Sequence, residues 1–173
     1  MDKYIHIERK FFTKDKCQKY INYFKHSNDK SENSRGYTGV YCQLNHFNGL
    51  GNELVNVLKK YHNKHKFLNR HGTEVPSQFH LQKYIPGECY SIEHMENGIH
   101  EDDCKRILGW MIYLNDIRNK GGTRWPQQNF ISKPRAGDLY IWPAGWTHSH
   151  YGVPALKETK YIVTGWCSFH GVV

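Results

Sequence analysis

Arg106-Ile107-Leu108-Gly109-Trp110-Met111-Ile112-Tyr113-Leu114 is a long apolar run that stops at Asn115-Asp116, and its reading decides the fold class. It is far short of the ~20 residues that a membrane-spanning helix needs. Its length, aromatic content and polar terminator fit a strand. Working outward, similar runs recur. Phe79-His80-Leu81-Gln82-Lys83-Tyr84 ends at Pro86-Gly87, Asp138 to Pro143 forms another, and Lys160 to Phe169 the last. Gly121-Gly122, Pro134 and Ala136-Gly137 punctuate them.

The first part of the chain reads differently. Phe11-Phe12 looks like a strand end, followed by a helix with Thr13 as N-cap and Asp15 near its positive end. Cys17, Tyr20, Ile21 and Phe24 recur at helical spacing and should face a core. Residues 27–36 are polar and turn-rich and read as a loop. A second helix is expected over about Asn52 to His65, with Leu54, Val55, Leu58 and the neighbourhood of Tyr61 on its apolar side. The whole reads as one domain, residues 1–173, with a helical part at about 1–78 and a β core at about 79–170. The expected class is mainly β with flanking helices, as a sandwich or barrel.

Composition narrows the function. With 38% hydrophobic and 14% aromatic residues, the 173-residue chain can bury a real core. No apolar run approaches a membrane span, and the start Met1-Asp2-Lys3-Tyr4 has no signal-like apolar region. An intracellular, cytoplasmic protein with no membrane association is therefore expected. The five cysteines are odd in number and contain no CxxC pair, so they read as reduced thiols. The net charge of +8 raises nucleic acid as a partner. The densest basic stretch, Lys59-Lys60 through Lys64 and Lys66, reads as a solvated helix face.

Two histidine motifs carry chemistry. His94-Met95-Glu96 would place an imidazole and a carboxylate on one face of a strand. His148-Ser149-His150 follows the aromatic run 139–142 and offers one more imidazole, from either histidine. Two histidines and a carboxylate leave coordination positions open and suit non-haem Fe(II), although zinc accepts the same donors. Lys160 shares a strand face with Ile162, Thr164 and Trp166. A lysine aimed into an apolar barrel is costly unless an anion meets it. A dicarboxylate would do so, with Tyr113 adding a hydroxyl.

From Tyr84 to Phe169 the chain resembles the 2-oxoglutarate/Fe(II) dioxygenases, in their prolyl 4-hydroxylase-like branch. The resemblance rests on Tyr84-Ile85-Pro86-Gly87, His94-x-Glu96, and Arg106 seven residues before Tyr113-Leu114-Asn115-Asp116. It continues through Gly121-Gly122-Thr123-Arg124-Trp125, Pro134-x-x-Gly137, His150-x-x-x-Pro154, and Lys160 with Trp166 six later. Phe12-Thr13-x-x-x-Cys17 resembles the family's opening element more weakly.

The resemblance implies a double-stranded β-helix, or distorted jelly roll. It implies His94, Glu96 and His150 as catalytic iron ligands. It selects His150 over His148, because only His150 keeps Pro154 at plus four and Lys160 at plus ten. His148 is then a residue of the ligand surroundings or substrate side, or simply a structural one. Lys160 would grip the distal carboxylate of 2-oxoglutarate, Tyr113 and Tyr84 would line the co-substrate pocket, and Arg106 and Trp166 would lie near the co-substrate and substrate end. The family usually has aspartate where this chain has Glu96.

The implied activity is hydroxylation of an unactivated C–H, of a prolyl residue in a peptide or of a free amino acid. It would consume 2-oxoglutarate and O2, with ascorbate (vitamin C) re-reducing iron. Two other readings compete. One is a nucleic-acid oxygenase or demethylase, motivated by the charge. The other is a module that binds metal and 2-oxoglutarate without turnover, motivated by Glu96. Substrate contacts are expected from residues 27–50, 66–78 and 97–105.

Overall fold

The computed structural model describes residues 2–33, 36–43, 49–70, 72–75 and 78–169, with only the backbone of 101 and 102. In chain order the elements are β1 (His6–Glu8), α1 (Lys14–His26), β2 (Ser31–Asn33), β3 (Tyr37–Gln43), α2 (Leu50–Lys64), β4 (Thr73–Glu74) and β5 (Gln78–Tyr84). Then come α3 (Glu101–Cys104), β6 (Arg106–Tyr113), β7 (Thr123–Trp125), β8 (Phe130–Ile131), β9 (Leu139–Pro143), β10 (Tyr151–Gly152) and β11 (Lys160–Phe169). Short 3₁₀ turns cover Leu68–Arg70 and Trp146–His148.

The strands form an eight-stranded sheet in the order β1-β9-β6-β11-β5-β3-β2, with β4 also on β11, and a three-stranded sheet β10-β7-β8. The pairings are antiparallel. This is a jelly-roll-like fold, as the sequence suggested. The apolar run from Arg106 to Tyr113 is β6, at the centre of the large sheet between β9 and β11.

That position explains its composition. The large sheet is covered on both faces, so β6 cannot alternate apolar with polar. Leu108, Trp110 and Ile112 join Phe79, Leu81, Ile141, Val163 and Cys167 in a core built with the helices. Met111 and Tyr113 join Tyr84, Tyr140, Trp142 and Ile162 in a second cluster on the other face, closed by Trp125 of the small sheet. Alternate residues of the same strands therefore serve two different cores.

The helices cover the first face. Thr13 caps α1, its Oγ1 accepting from the Lys16 amide at 3.2 Å, and Cys17, Tyr20, Ile21 and Phe24 are its buried positions, as their spacing predicts. Along α2 the buried residues are Leu50, Leu54, Val57, Leu58 and Tyr61. Val55 departs from expectation. It is 38% exposed, because the apolar stripe runs through Val57, three residues on from Leu54. Lys59, Lys60, Lys64 and Lys66 are exposed, as a solvated face should be.

Three expectations for the first part need correction. Phe11-Phe12 is not a strand end: the strand is β1, and Phe12 is a core residue whose amide donates to the Gly137 carbonyl at 3.1 Å. Gly137 has φ +86°, and a Cβ there would lie 2.1 Å from the Phe12 carbonyl oxygen, so both conformation and space require glycine. The polar stretch 27–36 contains β2, while its positions 34 and 35 lie outside the described residues. Nor is the first part merely helical. It supplies β1 to β4 to the large sheet, and β3 pairs along β5 from Thr38↔Lys83 to Gln43↔Gln78. Among the described residues no helix is long and apolar enough to cross a membrane.

Candidate metal centre

The site lies on the second face of the large sheet, where strands β5, β6, β9 and β11 meet the small sheet. A cavity of about 400 Å³ opens there. His94, Glu96, His150, Tyr84, Arg106, Lys160 and Trp166 all line it.

His94 and His150 are 56 positions apart but form one antiparallel bridge. The His94 amide donates to the His150 carbonyl at 3.0 Å, and the His150 amide donates back at 2.8 Å. Their rings stand 4.4 Å apart. In each, Nδ1 lies against a backbone carbonyl, that of Ile92 at 2.9 Å for His94 and that of His148 at 3.0 Å for His150. Those carbonyls place the proton on Nδ1 and leave Nε2 as the donor atom, the usual preparation of a metal-binding histidine. Trp142 meets the His150 ring edge-on at 5.0 Å.

Glu96 completes the group. It is not on a strand. Its amide and that of Asn97 both donate to the Ala144 carbonyl at 3.0 Å, which ties this loop to the end of β9. Glu96 Oε1 lies 3.1 Å from His150 Nε2, and Oε2 accepts from the Trp166 indole N–H at 2.6 Å. Burial alone would raise the pKa of this carboxyl. The contacts with His150 and His94 and the hydrogen bond from the Trp166 indole outweigh burial and lower it to about 2. One ligand atom from each of His94, Glu96 and His150 lies within 4.8 Å of the others. Two imidazole nitrogens and one carboxylate oxygen, on one side of an open cavity, fit Fe(II) with room for further donors. Zinc fits the same donor set.

Lys160 begins β11 and pairs with Tyr84 of β5. It is 3% exposed, and its ammonium sits 4.5 Å above the Tyr84 ring. Its hydrogen bond is to the Gly121 carbonyl at 3.2 Å, and no carboxylate pairs with it among the described residues. Burial lowers its pKa to about 8. A buried ammonium held by one carbonyl and one ring face is the arrangement that an incoming anion would complete. Ile162, Thr164 and Trp166 share its face and line the same cavity, as strand alternation requires.

Three expected residues take other places. Tyr113 does not line the cavity. It is fully buried behind Thr123, with its hydroxyl spent on Thr123 Oγ1 at 3.1 Å and Ser132 Oγ at 2.7 Å. Thr123 stands at the wall in its stead. His148 lies in a 3₁₀ turn, not on a strand with His150, so the two side chains do not share a face. Its Nε2 lies 3.5 Å from Asp2 Oδ1, and its ring meets Tyr4 edge-on. It packs against the start of the chain and is not part of the cavity wall. Trp166 is not only near the substrate end: it holds the carboxylate of the candidate metal site.

The cavity also contains residues that the sequence reading passed over. His80 and Gln82 precede Tyr84 on the same face of β5. Tyr84 donates its hydroxyl to Gln82 Oε1 at 2.6 Å, so Gln82 Nε2 is the donor toward His80 Nδ1 at 3.0 Å. Burial lowers the His80 pKa to about 4, and the Tyr41 ring stacks on it at 4.2 Å. The signal was present: polar residues at 80 and 82 alternate with Phe79 and Leu81 on a strand covered on both faces. Tyr37 and Tyr41 of β3 also line the cavity and lie within the expected contact stretch 27–50, whose positions 34, 35 and 44–48 are outside the described residues.

Comparison with known proteins agrees with this architecture. The chain superposes on a viral collagen prolyl hydroxylase from Paramecium Bursaria Chlorella virus-1, solved with 2OG, at a TM-score of 0.70 and 20% identity, covering 97% of each chain. A Pseudomonas putida prolyl-4-hydroxylase matches at a TM-score of 0.65 and 16% identity, over 97% of this chain and 94% of that one. A Trichoplax adhaerens prolyl hydroxylase, solved with a hypoxia inducible factor peptide fragment, matches at a TM-score of 0.67 and 18% identity, over 96% and 84%. At these identities the likeness is one of fold. No curated protein matches the sequence. The profile of the 2OG-Fe(II) oxygenase superfamily matches residues 79–168, from β5 through β11 and across every residue of the histidine–glutamate–histidine cluster. Because this match spans just over half of the chain, the protein belongs to the 2OG-Fe(II) oxygenase superfamily.

Proposed function

We propose that the protein hydroxylates an unactivated C–H bond, of a prolyl residue in a peptide or of a free amino acid, with Fe(II) held by His94, Glu96 and His150. The observation that carries this reading is the pairing of two features in one cavity: a two-histidine, one-carboxylate cluster and a buried lysine that no carboxylate partners among the described residues. Family membership implies Fe(II) and 2-oxoglutarate, and O2 and ascorbate complete the proposed set. When bound, iron and 2-oxoglutarate supply O2-dependent hydroxylation coupled to decarboxylation of the oxoacid to succinate.

The chain's own residues do the rest. The carbonyls of Ile92 and His148 hold the Nδ1 side of each imidazole and turn both Nε2 atoms inward. Lys160 takes the far carboxylate of the oxoacid as a point charge, and its burial makes that contact strong. Thr123 stands at the lysine end of the wall, where Gly121 accepts from the ammonium. Trp142, Met111 and Ile162 present apolar surface to the cavity and limit water at the reacting atoms. The prolyl assignment draws support from the three structural neighbours, each a prolyl hydroxylase. The exposed lysines of α2 belong to a helix on the opposite face of the sheet, away from this cavity.

The test is a product screen. Protein loaded with Fe(II) is given 2-oxoglutarate, ascorbate and, separately, proline-containing peptides, free amino acids and single-stranded nucleic acid. Succinate formation with gain of one oxygen on a peptide or amino acid supports the proposal. Oxidation of the nucleic acid alone would overturn the substrate class. Binding of 2-oxoglutarate without succinate in any arm would overturn turnover itself.

A further inference from the structure

The cluster's carboxylate is a glutamate, one methylene longer than aspartate, so the chain must accommodate the extra length. We infer that Gly109 and Trp166 are positioning residues that adapt the metal centre to Glu96. Gly109 leaves room for the methylene, and Trp166 anchors one carboxylate oxygen so that the other faces the imidazoles. The inference rests on the reading of His94, Glu96 and His150 as metal ligands.

Gly109 sits in the middle of β6, opposite Trp142 on β9 and Trp166 on β11. It does not have a positive φ, so the backbone alone does not require glycine there. Space does. A Cβ at position 109 would come within 2.9 Å of Glu96 Cγ and 2.8 Å of Trp142 Cε2. Glycine inside a strand weakens it and marks a close approach by another group. Here the approaching groups are the added part of the glutamate side chain and the indole beside it. The missing side chain on β6 is the gap through which Glu96 reaches the cluster.

Trp166 governs the other end of that side chain. Its indole N–H donates to Oε2 at 2.6 Å, while Oε1 lies 3.1 Å from His150 Nε2. The two oxygens are thus distinguished: one is held by the protein and one is turned to the cluster. The indole is held in turn. The Arg106 guanidinium lies 3.8 Å from the ring centroid, pairs with Asp103 at 2.8 Å, and donates to the Glu96 carbonyl at 3.3 Å. Backbone and carboxylate of Glu96 are both fastened to this stack. An aspartate at 96 would leave its carboxylate oxygens about one methylene short of the indole.

The experiment is a double-mutant cycle read by Mn(II) affinity, with Mn(II) standing for the resident ion and electron paramagnetic resonance counting the free metal. Glu96→Asp alone should weaken Mn(II) binding by about tenfold or more, the range typical of lost support around a metal ligand. Trp166→Phe should cost about 10–100-fold with Glu96 present and under about threefold in the Glu96→Asp background. Gly109→Ala should weaken binding about tenfold or more, because its Cβ would crowd Glu96 Cγ and Trp142. Equal effects of Trp166→Phe in the two backgrounds would show a merely structural tryptophan and overturn the inference. So would Mn(II) binding by Glu96→Asp as tight as wild type, and this single variant carries the test if Trp166→Phe does not fold. Absence of Mn(II) binding by the wild-type protein would overturn the metal-centre reading itself.

Discussion

The two faces of the large sheet are built from alternate residues of the same strands, yet they differ in kind. The helix-covered face of β5, β6, β9 and β11 carries Phe79, Leu81, Leu108, Trp110, Ile112, Ile141 and Val163, all apolar and nearly inaccessible. The cavity face of the same strands carries His80, Gln82, Tyr84, Gly109, Met111, Trp142, Lys160, Thr164 and Trp166. The first face has only packing to satisfy. The second holds buried polar groups whose partners are each other, and a lysine whose burial is unfavourable by itself. Stability is concentrated on one face and chemistry on the other, and substitutions should separate accordingly.

The strongest break is at the histidines. His94→Ala or His150→Ala should abolish succinate formation, a loss of about a thousandfold or more, because two ligands hold a catalytic ion far less well than three. For His94→Ala thermal unfolding should move little, since that ring is only half-buried at the cavity wall, whereas His150 is buried against Trp125 and Trp142. A large drop in melting temperature with activity retained would dissolve the distinction between the faces.

Lys160→Met should raise the 2-oxoglutarate Kd by about 30-fold or more, from the ~2–5 kcal/mol lost when one partner of a buried charge contact is truncated. The same variant should fold at least as stably as wild type without ligand, because an apolar side chain replaces a desolvated ammonium. On the helix-covered face, Leu81→Ala should do the reverse. It should cost about 2–5 kcal/mol in denaturant unfolding and leave turnover per folded molecule nearly unchanged.

A smaller effect comes from pH. Burial depresses the Lys160 pKa to about 8 in the folded protein. As pH rises through that value the ammonium is lost, so 2-oxoglutarate affinity should fall by about tenfold for each further pH unit. Unliganded stability has the opposite sign. Between about 8 and the ordinary lysine value of 10.5 the unfolded chain binds more protons at this residue than the folded one. Wild type should therefore gain stability relative to Lys160→Met over that window. Titrating both proteins by calorimetry and by denaturant would check both signs. The smallest change expected is at the edge of the helical layer: Thr13→Ala should cost about 1 kcal/mol in unfolding with no change in Kd.

Legibility in the sequence followed the range of the interactions. Helix α1 was readable because its cap, its first-turn acid and its apolar stripe lie within fourteen positions, 13–26. β5, β6, β9 and β11 were readable from apolar runs and glycine or proline stops. β3 was not, because Tyr37-Thr-Gly-Val-Tyr-Cys-Gln is short and half polar, and only its pairing along β5 makes it a strand. At the site, His94, Glu96, His150 and Lys160 stood out by residue type and spacing. His148 could not be told from His150 by residue pattern alone, because the turn that separates them is invisible in the pattern. The hydroxyl of Tyr113 was assigned to a ligand, but Thr123 and Ser132, ten and nineteen positions away, take it.

By itself the sequence carried the candidate donor types, the fold class and the presence of one lysine in an apolar strand, since these depend on residue identity and local period. Tertiary structure decided what no local pattern contains. It set which face of β6 meets the helices and which meets the cavity. It spent Tyr113 behind the wall and turned His148 toward the start of the chain. It also brought Trp166 onto a carboxylate seventy positions away, beside a glycine that leaves it room. Those outcomes depend on strand order and register, which close contacts between residues far apart in the chain and are settled only when both faces of the sheet are packed at once.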